Sequence, residues 1–158
     1  MPQENIKILS AEERSLYLQP LHQRFGIDPK VFEDYHLVRT SQRKLKVMAR
    51  SFVIPHHPPL VSMGLDFLSI NHAVPKLTTS AAAIFGRHAS RHVISLSLGQ
   101  LKSYMNREDL LVEGEDHFTK GYALIRYKHH VPGLGFLEPT DQGYRVISQY
   151  PKGRQGWA

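Results

Sequence analysis

The sequence predicts an α+β fold in which a small N-terminal α/β subdomain precedes a second domain of mixed strands with short helices. The N-terminal region combines a capped helical pattern with two strand-like runs. Three prolines, Pro55, Pro58 and Pro59, then exclude a regular helix or a central strand. Beyond them, short apolar runs alternate with short capped helical segments. We therefore place the N-terminal subdomain at residues 1–55 and the second domain at residues 60–158. At 158 residues the chain fits one domain, or two small halves that share a core.

The composition favours a partner that carries negative charge. The 158 residues include 20 Lys and Arg against 14 Asp and Glu, which gives a formal net charge of +6. This balance favours RNA or DNA first and an anionic membrane surface second, although a basic protein without a specific partner is the simpler alternative. The chain has no Cys, which excludes disulfides, thiolate nucleophiles and zinc held by Cys. The polar N-terminus argues against a secretory signal, and no apolar run approaches the ~20 residues that span a bilayer. We expect a cytoplasmic protein with no membrane partner.

The first predicted element is a helix that begins after Ser10. Glu13 stands three residues later and completes a capping box, and Gly26 is suited to end the helix. Pro20 falls inside this pattern and would kink the helix or split it. Apolar residues at approximately helical spacing predict its buried face: Leu16, Leu18, Leu21 and Phe25.

A second short helix and a hairpin follow. Asp28 is a suitable cap, and Pro29 fits the first turn of the helix. Strand-like runs at residues 35–39 and 45–49 are joined by a polar segment, which predicts a β-hairpin. Five cations belong to this hairpin: Arg39, Arg43, Lys44, Lys46 and Arg50. They could follow a phosphate backbone, or they could simply solvate the edge of a sheet.

The second domain opens with a strand and a short helix. Residues 61–70 predict a strand in which Gly64 forms a bend or a bulge. Thr79 or Ser80 then caps an Ala-rich helix that ends at Gly86.

Residues 92–96 predict the central strand of this domain. Ser97 is expected to cap a helix at residues 98–106. Apolar residues at helical spacing predict the buried face of this helix: Leu98, Leu101 and Met105.

A strand that begins at Gly121 carries candidate ligand-binding side chains. Alternation places Tyr122, Arg126 and Lys128 on one face of this strand. The run Val-Pro-Gly-Leu-Gly at residues 131–135 predicts a turn, because proline and glycine permit tight or positive-φ backbone.

The C-terminal segment adds one more strand and a basic end. Asp-Gln-Gly at residues 141–143 predicts a turn, and residues 144–147 predict the strand after it. The segment ends in the basic run Tyr-Pro-Lys-Gly-Arg at residues 150–154.

The combination of a Gly-Tyr strand, a Pro-Gly-X-Gly segment and a Pro-Lys-Gly-Arg end resembles PUA and PUA-like RNA-binding domains. It is most similar to the domain at the C-terminus of the Sun-type rRNA cytosine methyltransferases, and it extends more weakly back to Gly64. The resemblance implies a PUA-like pseudo-barrel that binds structured rRNA or tRNA, in ribosome assembly or beside an RNA-modifying enzyme. It also implies that the glycines let an RNA backbone come close.

Cations bind phosphates and aromatic rings stack on unpaired bases, so these residue types define the predicted RNA-binding surface. Each tyrosine could instead serve ordinary sheet packing. The predicted site consists of Lys120, Gly121, Tyr122, Arg126, Lys128, Gly133, Gly135, Arg145, Tyr150, Lys152 and Arg154. Three further cations could extend the surface from the helical side: Lys76, Arg87 and Arg91.

The chain lacks the parts of a methyltransferase. No strand followed by Gly-X-Gly occurs in the first 60 residues, and the Cys nucleophile of a cytosine methyltransferase is missing. His88 and His92 have the spacing of helical zinc ligands, but Ala89 stands where a zinc protease has Glu. We therefore expect no catalytic residue, no metal and no cofactor.

Two other functions remain open. One is a small hydrolase that uses its histidines, and the other is an interaction module whose basic face docks on an acidic protein. The chain could be a free-standing module or part of a larger protein.

Overall fold

A computed structural model describes residues 6–51, 64–70 and 76–154. Two five-stranded sheets lie in the described residues. In the first sheet neighbouring strands follow the order of the chain and pair antiparallel, as β1 (Lys7–Ile8), β2 (Tyr35–Arg39), β3 (Lys44–Ala49), β4 (Leu65–Ser69) and β5 (Lys76–Leu77). The predicted α+β class is confirmed.

The second sheet is curled and has a crossed strand order. Its strands are β6 (Val93–Ser95), β7 (Leu110–Val112), β8 (Gly121–Tyr127), β9 (His130–Thr140) and β10 (Gly143–Ser148). They lie in the order β6-β8-β9-β10-β7, and only the β6–β8 pairing is parallel. The helices are α1 (Ala11–Phe25), α2 (Thr79–Phe85) and α3 (Leu98–Met105). None of the helices in the described residues is long and apolar enough to cross a membrane.

The first sheet contains strands from both sides of the predicted domain boundary. The prolines of that boundary lie outside the described residues, but β3 pairs with β4 across it. One buried cluster also joins the halves, because Phe25 of α1 and Phe67 of β4 share a core with Leu124 and Leu134 of the second sheet. The sheets therefore divide the chain between Leu77 and Val93. The two halves share one buried cluster, and a second cluster lies within the half that contains the second sheet.

Helix α1 begins and ends where its caps predict. The Ser10 hydroxyl accepts from the Glu13 N–H at 3.2 Å, and the Glu13 carboxylate accepts from the Ser10 N–H at 3.2 Å. Gly26 adopts φ 68°, and the helix runs through Pro20 without splitting. The predicted burial of Leu16 is wrong, since this side chain is 71% exposed on the opposite face from the buried Leu18, Leu21 and Phe25.

The next elements follow the prediction with small differences. The second short helix is a 3₁₀ turn, Pro29–Phe32, and the Asp28 side chain accepts from the Lys30 N–H at 2.9 Å. The β2–β3 hairpin forms as predicted. Helix α2 is capped by Thr78, one residue before the predicted cap, and its hydroxyl accepts from the Ala81 N–H at 3.1 Å.

The predicted central strand lies at an edge instead. Among the described residues strand β6 pairs with β8 alone, because the chain places β9 and β10 on the far side of β8. Helix α3 has the predicted Ser97 cap, reinforced by the Gln100 side chain. Its buried residue is Tyr104, whereas Leu98, predicted to be buried, is 52% exposed.

The predicted turn at residues 131–135 is wrong, because this run lies inside the eleven-residue strand β9. The hairpin turn falls earlier, where Lys128 adopts φ 52°. Gly133 and Gly135 are buried, and each leaves room for a neighbouring side chain. A Cβ on Gly133 would lie 2.6 Å from the Tyr104 hydroxyl, and a Cβ on Gly135 would lie 2.5 Å from Val146 Cγ1.

Gly133→Ala is expected to lower the free energy of unfolding by about 1–3 kcal/mol, the usual cost of overpacking a core. Its added methyl would push the Tyr104 hydroxyl away from its hydrogen-bond acceptor. Gly99→Ala is the matched control, because no atom lies within 4 Å of the added Cβ in helix α3. That change should stabilise the protein by up to about 1 kcal/mol. Urea unfolding measures both, and equal effects would contradict the packing role of Gly133.

Candidate nucleic-acid interface

Two of the predicted cations of the second sheet are engaged by neighbouring side chains. Arg145 lies on β10 between two carboxylates, with Nη2 2.5 Å from Glu138 Oε2 and Nε 3.9 Å from Asp109 Oδ2. Its charge is therefore largely offset by neighbouring acids. Arg126 lies on β8, where its Nε and Nη2 donate to the Ser95 hydroxyl at 3.3 and 3.0 Å.

The predicted common face of Arg126 and Lys128 is wrong. A bulge shifts the register between Ile125 and Tyr127, and Lys128 lies in the turn after the strand. The Lys128 ammonium lies 5.4 Å from the centroid of the Tyr127 ring. Alternation fails here because a bulge inserts one extra residue into one strand of the pair.

The predicted glycines are structural. Gly133 and Gly135 are buried inside β9, so an RNA backbone cannot approach them as the resemblance implied. Gly121 adopts φ 136°, and a Cβ there would lie 3.0 Å from Nη2 of Arg24. The Arg24 guanidinium donates to the carbonyl oxygens of Tyr122 at 2.9 Å and Thr119 at 3.0 Å, so it ties α1 to the start of β8. Gly121 makes room for this contact.

Tyr150 packs in the core. It is only 7% exposed, and its ring lies 5.6 Å from the Tyr104 ring at an angle of 67°. The predicted stacking of Tyr150 on a base is therefore wrong, and the packing alternative holds. Lys120 and Lys152 are exposed. The side chain of Arg154 lies outside the described part of the structure.

Tyr122 is more exposed than Tyr150 and lies beside a cation. It is half-buried on β8, and its ring meets the ring of Phe136, its partner on β9, at 5.2 Å and 84°. The Lys76 ammonium lies 5.0 Å from the centroid of the Tyr122 ring, within the range of a cation–π contact. The same ammonium donates to Gln149 Oε1 at 3.2 Å.

Arg107 joins this group through residue 150, which follows the Gln149 partner of Lys76. It follows α3 with φ 62°, and its guanidinium donates to the Tyr150 carbonyl oxygen. Partial burial, and then the charge of Arg107, lower the pKa of Lys76. Neither cation forms an ion pair with a carboxylate of the described residues. We call Lys76, Arg107, Tyr122, Phe136 and Gln149 the Lys76 cluster.

Sequence reasoning found part of this cluster. It singled out Tyr122 and, as an extension, Lys76, but it missed Arg107, Phe136 and Gln149. Phe136 could have been found from the β8–β9 register if the turn had been placed at Lys128. Nothing in the sequence marks Arg107, whose position depends on how α3 packs on the sheet.

The basic β2–β3 hairpin is mostly engaged in internal contacts. Lys46 Nζ lies 3.8 Å from Asp66 Oδ1, Arg39 donates to the Tyr17 hydroxyl, and Arg50 Nε donates to the Glu33 carbonyl at 2.5 Å. Arg43 and Lys44 are exposed at the turn. This arrangement favours the interpretation of the hairpin cations as structural and solvating groups.

His92 is a structural residue at the junction of α1, β6 and β8. It is 3% exposed, its Nδ1 lies 2.6 Å from the Arg24 carbonyl oxygen, and its Nε2 accepts from the Thr119 N–H at 3.1 Å. These partners require the neutral ring with its proton on Nδ1. No group of three or more potential metal ligands occurs among the residues that the structure describes.

Stability is expected to fall as the pH drops below about 6.5, the ordinary pKa of an unfolded histidine. Burial lowers the pKa of His92, and the charges of Arg24, His117 and Arg91 act in the same direction. Below about pH 6.5 the unfolded chain therefore binds a proton at His92 more readily than the folded chain does. The free energy of unfolding falls as the pH is lowered from about 6.5 to the pKa of His92 in the folded protein. Urea unfolding between pH 7.5 and 5.5 measures this slope.

His92→Gln should flatten the pH dependence, whereas His88→Gln, at an exposed position, should leave it unchanged. The same slope in both variants would show that another group carries it.

No protein-family model matches this chain, and no curated protein is significantly similar to it.

Proposed function

We propose that this protein is a non-catalytic RNA-binding protein and that the Lys76 cluster contacts the RNA. The observation that carries the proposal is the pair Lys76 and Arg107, which lack a carboxylate partner among the described residues. Lys76 also lies beside a partly exposed aromatic pair, Tyr122 and Phe136. A half-buried cation without a counter-ion is stabilised by an anionic ligand. A phosphate group would supply that charge.

The aromatic pair favours RNA with unpaired bases over duplex DNA. Tyr122 and Phe136 offer ring surface next to Lys76, and stacking of one base on such a ring contributes about 1–3 kcal/mol. Duplex DNA is usually read by a helix or a ribbon in the major groove, and the aromatic pair lies on two strands of the second sheet. Lys152, exposed beyond the last strand, would add a further phosphate contact.

The class of RNA rests on the resemblance to PUA-like domains. Structured rRNA or tRNA is the target in this proposal, within ribosome assembly or beside an RNA-modifying enzyme, in the cytoplasm. The net charge of +6 supports an RNA target, since phosphate contacts supply most of the affinity for RNA.

Binding to rRNA and tRNA, with duplex DNA and heparin as competitors at two salt concentrations, tests the proposal. We expect selective binding of RNA that survives competition at the higher salt concentration. Binding that heparin and salt abolish equally for RNA and DNA would show general attraction between a basic protein and a polyanion, and it would overturn the proposal.

A further inference from the structure

The two edge strands of the second sheet face each other across one cleft. The strand order β6-β8-β9-β10-β7 makes β6 and β7 the edges of this sheet. Residues of both edges, Val93 and Ser95 from β6 and Leu111 and Val112 from β7, line the same cleft of about 490 Å³. The curl of the sheet thus makes β6 and β7 the opposite walls of one open cleft.

The β6 wall presents unpaired backbone groups. The Leu124 N–H donates to the His92 carbonyl oxygen, and the Leu96 N–H donates to the Arg126 carbonyl oxygen, both at 2.9 Å. Because backbone groups alternate in direction along a strand, those of Val93 and Ser95 point away from β8 and into the cleft. No backbone hydrogen bond to another described residue occupies them on that side.

The cleft also has opposite charges at its two ends. The β6 and β7 strands run in opposite directions, since β6 is parallel to β8 and the pairings through β9, β10 and β7 are all antiparallel. Arg126 lies beside Ser95 at the end of β6 that leads into α3. Glu113 and Glu115 follow the end of β7 and therefore line the opposite end of the cleft.

We infer that this cleft binds an extended peptide of another protein as an added strand between β6 and β7. Main-chain hydrogen bonds to an exposed edge are a general mode of peptide recognition, in which side-chain contacts select the sequence. The end charges call for a peptide with a carboxylate toward Arg126 and a basic side chain toward Glu113 and Glu115. The three-residue edges match a short peptide better than an extended dimer interface. This site shares no residue with the Lys76 cluster.

Two blocked five-residue peptides test the inference on the full chain. Their sequences are acetyl-Lys-Thr-Val-Thr-Asp-amide and the reverse order, which cover both strand directions. We expect one of them to bind and to slow hydrogen exchange at the Val93 and Ser95 amides. N-methylation of alternate peptide amides should weaken that binding by about tenfold, the value of one or two backbone hydrogen bonds.

Three substitutions in the protein make the test specific. Ser95→Pro removes the N–H that faces the cleft without removing a bond to β8, and Ser95→Ala removes only the hydroxyl. We expect a loss of about tenfold in affinity for Ser95→Pro and less than about threefold for Ser95→Ala. Arg126→Glu should reverse the preference toward a peptide with Lys at both ends.

Three outcomes would overturn the inference. The first is failure of both peptides to bind at millimolar concentration. The second is binding that N-methylation and Ser95→Pro leave unchanged. The third is concentration-dependent dimerisation, seen by light scattering and abolished by Ser95→Pro, because the occupant would then be a second copy of the chain. Loss of RNA binding in the earlier competition experiment would leave this inference intact.

Discussion

Replacing Lys76 and Arg107 together with glutamine is expected to weaken RNA binding by about 10- to 100-fold near 0.1 M salt. Each cation would lose one phosphate contact, so the slope of log affinity against log salt should become shallower by about 1.4 for a single strand. Glutamine at either position keeps an amide donor, for Gln149 from position 76 and for the Tyr150 carbonyl oxygen from position 107, while it removes the charge. Fluorescence anisotropy with a labelled tRNA over four salt concentrations measures both quantities.

The control for this experiment carries the same loss of charge elsewhere. Arg43 and Lys44 are exposed at the β2–β3 turn, and their double replacement by glutamine should weaken binding by less than about threefold. Circular dichroism of both double variants checks that the fold is retained. Equal losses in the two variants would mean that net charge alone governs binding, and the Lys76 cluster would no longer be the candidate site.

Local signals in the sequence predicted the ends of the helices well. Ser10 and Ser97 each form the reciprocal contacts of a capping box, which depend on residues only three positions apart. The predicted turn at residues 131–135 was wrong because its structure depends on contacts with residues remote in the sequence. Glycine in a sequence is compatible with a turn or with a tightly packed strand, and the contacts that decide between them come from Tyr104 and Val146, remote in the chain.

The candidate site was harder to predict than the fold, because it depends on pairing between strands. Arg145 looked like a free cation in the sequence, but Glu138 lies directly opposite it on β9. Arg126 and Lys128 looked like neighbours on one face until a bulge separated them. Lys76 and Arg107, thirty-one positions apart, are brought together by the packing of α3 and β5 around residues 149–150.

Tyr104 supports the second sheet from helix α3, and its contacts are almost entirely internal. Its side chain is fully buried, its hydroxyl donates to the Leu134 carbonyl oxygen at 2.7 Å, and its own carbonyl accepts from the Ser148 hydroxyl at 2.7 Å. Burial raises the pKa of the Tyr104 phenol, so the group remains a protonated donor at any ordinary pH. The ring also contacts the Tyr150 ring. This residue therefore fixes α3 on β9 and on the segment after β10.

Tyr104→Ala is expected to lower the free energy of unfolding by about 3–5 kcal/mol, because it removes a buried aromatic ring and leaves a cavity. Tyr104→Phe keeps the ring but leaves the Leu134 carbonyl without its donor, which should cost about 1–3 kcal/mol. Leu98→Ala, at a 52% exposed position of the same helix, should cost less than about 1 kcal/mol and serves as the control. Urea unfolding ranks the three variants. A Phe variant as stable as the parent would show that the hydroxyl contributes nothing, and an Ala variant as mild as Leu98→Ala would show that α3 is not held through Tyr104.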